Sequence, residues 1–180
     1  MKQGLHNNVE RWGMFELTLQ GPNHGNPYSD IRLEAQFRHK HLAVTVAGFY
    51  DGDGKYCIRF MPDTLGEWTF ETSSNHQELQ GVTGQFTCVE PSEGNHGPVR
   101  VKDEFHFAYE DGTRYMPVGT TSYAWIHQSE QLQQETLETL RHAPFNKIRM
   151  CVFPKNYSYT LNEPELFPYS GTSKGEFDLK

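Results

Sequence analysis

The sequence predicts a mainly β protein: a sandwich of short antiparallel strands, followed by a β-hairpin and then a parallel β–α–β unit. Three observations carry this. Apolar residues alternate at period two through most of the first half of the chain. Turn residues recur between those runs at roughly ten-residue spacing. The period then lengthens, and a helical stretch at 129–142 separates two strand-like runs at 115–121 and 145–153.

Trp12, Phe15, Leu17 and Leu19 open the alternation, with an irregularity at Gly13 that reads as a bulge. Ile31, Leu33, Ala35 and Phe37 share one face of a second strand. Residues 42–49 form a nearly continuous apolar run. Tyr56, Ile58 and Phe60 alternate, as do Trp68 with Phe70 and Phe86 with Cys88. Gly21-Pro22-Asn23, Asp51-Gly52-Asp53-Gly54, Met61-Pro62-Asp63 and Leu65-Gly66 punctuate these runs. Such residues supply the fixed or positive φ that reverses a chain. Asp51-Gly52-Asp53-Gly54 shares the opening of a calcium loop but lacks the later ligand spacing and closing Glu, so it reads as a hairpin turn. His39 and His41 flank Lys40 and have no third ligand nearby in the sequence, so they are expected to face solvent.

A polar, Gly- and Pro-rich segment at 90–98 marks the domain boundary. Residues 1–97 are assigned to the sandwich and 98–180 to the second domain. A hairpin follows the boundary: Phe105, Phe107 and Tyr109 alternate, Asp111-Gly112 turns the chain, and 115–118 returns. The helix at 129–142 rests on Leu132, Thr136, Leu137 and Leu140 along one stripe. Ser129 is its N-cap, Glu130 suits the positive end of the helix dipole, Arg141 and His142 suit the other end, and Pro144 stops it. Strand, crossover helix and strand make a parallel pair, the opening unit of an α/β sheet or barrel. The residues after Phe153 are too few to complete either. The chain is therefore expected to be the front part of a larger protein.

Composition narrows the function. A net charge of −7 with no basic cluster argues against binding a nucleic-acid backbone. No apolar run is long enough to span a membrane, and none follows the first charged residues as a signal peptide would. Cys57, Cys88 and Cys151 are odd in number and contain no Cys-x-x-Cys pair, which points to core residues rather than a zinc or dithiol site. Reduced thiols fit cytoplasmic residence, with secretion as the alternative. No metal or cofactor is expected.

Ligands meet parallel α/β units at the C-terminal ends of their strands. Tyr123, Trp125 and His127 follow the first strand, and Arg149 and Lys155 lie at the end of the second. This mixture of flat aromatic faces and hydrogen-bonding groups is what sugars require. The alternative is that Tyr123 and Trp125 only pack beneath a loop. In the alternation of the second strand, Arg149 points opposite to Ile148, Met150 and Val152. A guanidinium on the inner side needs a carboxylate or ligand partner, either at a substrate site or in a structural ion pair.

Phe145-Asn146-x-Ile148-Arg149 resembles the second-strand motif of clan A glycoside hydrolases, which are (β/α)8 barrels with two catalytic carboxylates. The resemblance implies that Arg149 orients the nucleophilic carboxylate. The chain as a whole resembles the N-terminal part of bacterial proteins assigned as glycoside hydrolases, which pair an immunoglobulin-like domain with an apiosidase-like barrel. The motifs carrying this are Phe49-Tyr50-Asp51-Gly52-Asp53-Gly54, Ile58-Arg59-Phe60-Met61-Pro62 and Gly66-Glu67-Trp68, followed by Val118-Gly119-Thr120-Thr121-x-Tyr123-Ala124-Trp125 and residues 145–155.

The resemblance implies an immunoglobulin-like β-sandwich, a hairpin and the first β–α–β of an incomplete (β/α)8 barrel. It implies a parent glycosidase acting on plant- or microbe-derived oligosaccharides, with Tyr123, Trp125, His127 and Lys155 contacting sugar. The acid/base and the nucleophile are expected beyond Lys180, because such barrels carry them after the fourth and seventh strands. Glu163, Glu165, Glu176 and Asp178 match neither position. The chain alone is thus expected to be inactive and to pack against a second copy or the missing barrel. A non-catalytic carbohydrate-binding or structural sandwich is the alternative, to be decided by whether Trp12 or Trp68 lies exposed on a flat sheet face.

Overall fold

The computed structural model describes residues 8–151, and the chain divides into two compact units, 1–115 and 116–180. Of the described residues 42% are strand and 15% helix, so the protein is mainly β, as expected. No helix among them is long and apolar enough to cross a membrane.

The first unit runs β1 (Asn8–Glu10), β2 (Phe15–Gln20), a one-turn helix α1 (Pro27–Asp30), β3 (Leu33–His39), β4 (Leu42–Ala47) and β5 (Phe49–Tyr50). It continues through β6 (Lys55–Phe60), β7 (Gly66–Ser74), β8 (Thr83–Val89), β9 (Val99–Lys102) and β10 (His106–Tyr109). One sheet has the order β1-β8-β7-β3-β4, a second β2-β6-β5, and β9 pairs with β10 alone. Every pairing here is antiparallel except β1 with β8.

Period two puts one face of each sheet into a common core. Leu33, Ala35, Phe37, Trp68, Phe70 and Phe86 come from the larger sheet, and Phe15, Tyr56, Ile58 and Phe60 from the smaller. Two ring stacks cross between the sheets: Phe37 on Phe60 with centroids 4.1 Å apart, and Phe15 on Phe86 at 4.4 Å. Such pairs contribute about 0.5–1.5 kcal/mol each beyond the area they bury. Buried polar atoms find partners within the same layers. The Trp68 indole donates to the Thr64 carbonyl at 2.8 Å, and the Tyr56 hydroxyl to the Pro22 carbonyl at 2.8 Å. Thr72 donates to the Leu79 carbonyl and accepts from the Val82 amide. Cys57 and Cys88 are unpaired and buried, and burial pushes the Cys88 thiol pKa up. Cys151 is half-buried.

Asp51-Gly52-Asp53-Gly54 is the hairpin turn between β5 and β6. Gly52, Asp53 and Gly54 all have positive φ, and the Asp51 amide bonds the Lys55 carbonyl at 2.8 Å. The apolar run at 42–49 changes sheets: β4 pairs with β3 and β5 with β6, and Gly48 carries the chain across. A Cβ on Gly48 would stand 2.8 Å from Leu33 Cδ2 and 3.0 Å from the Cys57 carbonyl, so only glycine allows this approach.

Two sequence expectations are corrected here. The alternation from Trp12 to Leu19 is not one strand with a bulge. The chain leaves the larger sheet after β1, turns through Trp12 at a φ of 65°, and enters the smaller sheet at Phe15. Nor does His39 face solvent. It continues the inward phase of Leu33, Ala35 and Phe37 and is buried. Its Nδ1 lies 2.8 Å from the Glu67 carbonyl oxygen, an acceptor, so Nδ1 carries the proton. Its ring packs 5.3 Å from that of Trp68. His41 is exposed.

The polar segment at 90–98 is fastened within the first unit. Ser92 donates its amide to Glu10, Asn95 donates to the Arg11 carbonyl, and His96 Nδ1 lies 2.8 Å from Asp111 Oδ2. The hairpin expected to return at 115–118 instead pairs β10 with the preceding β9, and beyond the Asp111-Gly112 turn only Ala108 bridges Arg114 among the described residues. On the β9–β10 hairpin, Val99, Val101 and Phe107 share one face and are exposed, and Phe105 at its tip is 84% exposed.

The second unit contains β11 (Gly119–Thr121), a 3-10 turn (Trp125–His127), α2 (Glu130–Arg141) and β12 (Lys147–Arg149). β11 and β12 pair in parallel, with Gly119 opposite Lys147, Thr120 opposite Ile148 and Thr121 opposite Arg149. The predicted helix and its cap are present: Ser129 Oγ accepts from the Leu132 amide, with Glu130 in the first turn and Arg141 in the last. The strands are shorter than the apolar runs that announced them. Val152 and Phe153 lie outside the described residues.

Candidate functional site at the strand ends of the second unit

The parallel register places Lys147 and Arg149 on the face of Gly119 and Thr121, with Thr120 and Ile148 on the other. Asn146 sets this register. Its amide donates to the Val118 carbonyl, its side-chain oxygen accepts from the Val118 amide at 3.0 Å, and its Nδ2 donates to the Met116 carbonyl at 2.8 Å. The backbone ladder continues past both strands. The Ser122 amide bonds the Arg149 carbonyl at 2.9 Å, and the Cys151 amide bonds the Tyr123 carbonyl at 2.8 Å. Tyr123 is thereby held beside Arg149.

These two side chains meet. Arg149 Nη2 donates to the Tyr123 hydroxyl oxygen at 2.8 Å, and the guanidinium carbon lies 5.1 Å from the centroid of the Tyr123 ring. Arg149 is exposed, so its remaining N–H groups stay available to an acceptor. The pair offers a planar cation beside an aromatic hydroxyl, a combination suited to a carboxylate or to sugar hydroxyls.

The other predicted site residues are placed differently. Trp125 turns toward α2: its indole donates to the Gln133 carbonyl at 3.2 Å. Gln133 in turn donates to the carbonyls of Ile126 and Gln128, and Gln128 to that of Ala124. This network ties the 3-10 turn to the start of the helix. His127 belongs to the same turn, and its Nε2 is buried without a hydrogen-bond partner among the described residues. Lys155 lies outside the described residues, as do Glu163, Glu165, Glu176 and Asp178. The structure therefore brings Arg149 and Tyr123 together and leaves Trp125 bound to the helix.

Sequence reasoning placed Asn146 in a motif without giving it a role, and overlooked Gln133. A lone amide at the head of an apolar strand was the available signal for Asn146. Nothing in the sequence pairs Gln133 with Trp125.

Carboxylates are absent from the described segments on either side of α2. Residues 116–129 and 142–151 contain no Asp or Glu. On α2, Glu138 is engaged by Arg141 and His142 at 3.0 Å each. Among the described residues no group of three or more His, Cys, Asp or Glu side chains is arranged to hold a metal ion.

In the first unit, Trp68 is buried and Trp12 is half-buried, its ring covered by the Arg11 guanidinium at 4.2 Å. Neither forms an open aromatic platform on a sheet face.

Residues 8–75 match the model of a domain of unknown function, DUF5060. The chain is similar to a solved structure, that of "a putative glycoside hydrolase" from Bacteroides vulgatus ATCC 8482. The two are 49% identical with a TM-score of 0.85, over 91% of this chain and 32% of that one. The chain thus spans about a third of the length of that protein. No curated protein matches it.

Proposed function

We propose that this chain is the N-terminal portion of a glycoside hydrolase acting on oligosaccharides, with residues 1–97 an immunoglobulin-like sandwich and 98–180 the start of a (β/α)8 barrel. The observation that carries this is the likeness to the Bacteroides vulgatus protein. The parallel pairing of β11 with β12 supports the barrel reading, because it is the unit from which such a barrel is built. Arg149, bonded to Tyr123 at the C-terminal end of β12, orients the nucleophilic carboxylate, and Tyr123 lines the sugar site.

Glycoside hydrolysis needs two carboxylates about 5–5.5 Å apart for retention or about 6.5–9.5 Å apart for inversion. The strand ends described here supply neither, so both come from the part of such a protein that has no counterpart in this chain. That part also covers the apolar side chains of the second unit, where Val118, Phe145, Ile148 and Met150 are exposed. For the sandwich itself, the burial of Trp68 and the capping of Trp12 favour a bracing role over sugar binding.

The test is turnover on a panel of aryl glycosides. The 180-residue chain is expected to give none, and the same chain extended to the length of the Bacteroides vulgatus protein is expected to give hydrolysis. In the extended protein, Arg149→Ala is expected to lower kcat strongly. Hydrolysis by the 180-residue chain, or full activity of the extended Arg149→Ala variant, overturns the reading.

A further inference from the structure

β4 forms one edge of the five-stranded sheet and, among the described residues, has none of the usual protections of an edge. It is six residues long, Leu-Ala-Val-Thr-Val-Ala, with no charge, no proline and no bulge. The opposite edge of the same sheet, β1, has only three residues. On β4, Leu42, Val44 and Val46 share the face of Ala35, Phe37 and His39, which looks into the core. On this side the smaller sheet ends in β5, a strand of two residues. Leu42 and Val44 are therefore 36% and 42% exposed on what is otherwise an inner face.

The direction of the unpaired backbone groups follows from the register. The Gly48 amide bonds the Leu33 carbonyl, so residues of that parity on β4 bond β3. The amides and carbonyls of Ala43, Thr45 and Ala47 point outward, and nothing among the described residues bonds to them.

We propose that this edge pairs with the same edge of a second copy of the chain, antiparallel about a two-fold axis at Val44, joining two five-stranded sheets into one. The strand is self-complementary in this arrangement. Val44 meets Val44, Leu42 meets Val46, and each outward Ala43 exchanges backbone bonds with the partner copy's Thr45. Inner faces stay with inner faces, so the apolar stripe runs unbroken through the joint. Charge agrees. Lys40 and His41 precede β4, whereas Asp51 follows it and Glu34 stands opposite Ala47. Antiparallel pairing brings the basic end of each copy to the acidic end of the other. This pairing belongs to the first unit and is independent of the proposed enzymatic role.

Sedimentation velocity of the 180-residue chain over a concentration series tests it. The expected result is a reversible dimer. Val44→Lys places two ammonium groups face to face at the axis and is expected to give a monomer, as is Val44→Glu; mixing the two variants is expected to restore a dimer. Thr45→Pro deletes an outward N–H while leaving the β3 ladder whole, and is also expected to give a monomer. Amide exchange on the unaltered chain provides a readout free of any folding defect in the variants: protection of Ala43, Thr45 and Ala47 should rise with concentration. A chain that is monomeric throughout, a dimer that survives both Val44→Lys and Thr45→Pro, or concentration-independent exchange at those three amides overturns the proposal.

Discussion

The ring of Phe70 lies over Gly84, its cross-strand neighbour on β7 and β8, so closely that a Cβ on Gly84 would stand 2.5 Å from Phe70 Cζ. The glycine leaves the space, and the ring fills it while also packing against Phe15 at 5.5 Å and Phe37 at 5.7 Å. Gly84→Ala must push an aromatic ring that is held on several sides. The expected cost is about 1–3 kcal/mol, the range for forcing extra volume into a packed core. Urea unfolding of the chain measures it, and Phe70→Leu in the same background should recover part of the loss. A neutral Gly84→Ala would mean that the Phe70 ring has an alternative position.

Asn146 satisfies two backbone groups of the segment leading into β11, the Val118 amide and the Met116 carbonyl. Asn146→Ala removes both partners, each contributing a net of about 0.5–1.5 kcal/mol. The loss should appear as faster amide exchange at Val118 and along β11, with no change in the core strands of the first unit. Asn146→Asp keeps the acceptor for Val118 but not the donor to Met116, and should fall between the two. Equal exchange in all three proteins would show that the register is held without this side chain.

Much of this architecture was legible because it depends on local rules. Alternation put Phe37, Tyr56, Ile58 and Trp68 inside, Asp51-Gly52-Asp53-Gly54 turned the chain, and Ser129 capped the helix. His39 was legible too, since it stands in phase with Leu33, Ala35 and Phe37; its polarity was allowed to outweigh its position. The break at Trp12 was not legible, because alternation persists while the chain changes sheets, and only the backbone conformation records the change. Likewise the apolar run at 42–49 gives no sign that β4 lies at an edge, because strand order is set by pairing far along the chain. At the candidate site, Arg149 and its face could be read from the parity of a parallel strand. The indole of Trp125 reads as suited to a sugar, and only the tertiary position of Gln133 shows that its N–H is taken by the helix.

Acid should destabilise the first unit through three carboxylates. Glu10 is held below the ordinary carboxylate range chiefly by the Ser92 amide, Asp30 chiefly by the Ser29 hydroxyl, and Asp111 chiefly by the Thr113 amide with help from His96. A carboxyl whose folded pKa lies below its unfolded value contributes stability that is fully present above the unfolded value, about 4. That contribution is lost as pH falls through the folded value, because the folded state then takes up the proton that the unfolded state already holds. Thermal melts should therefore move to lower temperature below about pH 4. Glu10→Gln and Asp111→Asn should each flatten that dependence while lowering stability at neutral pH. An acid limb of unchanged slope in both variants would place the acid sensitivity elsewhere.

The contact between Arg149 and Tyr123 sets the last expectation. If the hydroxyl holds the guanidinium in place, Tyr123→Phe and Arg149→Ala are not independent, and their combined effect on the stability of the chain should be less than the sum. Because Arg149 is exposed, the coupling should be small, about 0.2–1 kcal/mol. In the extended protein the consequence is larger and of a different kind. If Arg149 orients the reacting carboxylate as proposed, Tyr123→Phe should lower kcat with little change in KM, since the guanidinium loses the bond that holds it in place. Arg149→Lys should not restore activity, because an ammonium cannot reproduce the planar fork that bonds a hydroxyl and a carboxylate together. A rise in KM alone for Tyr123→Phe would leave this tyrosine a sugar contact that does not position Arg149.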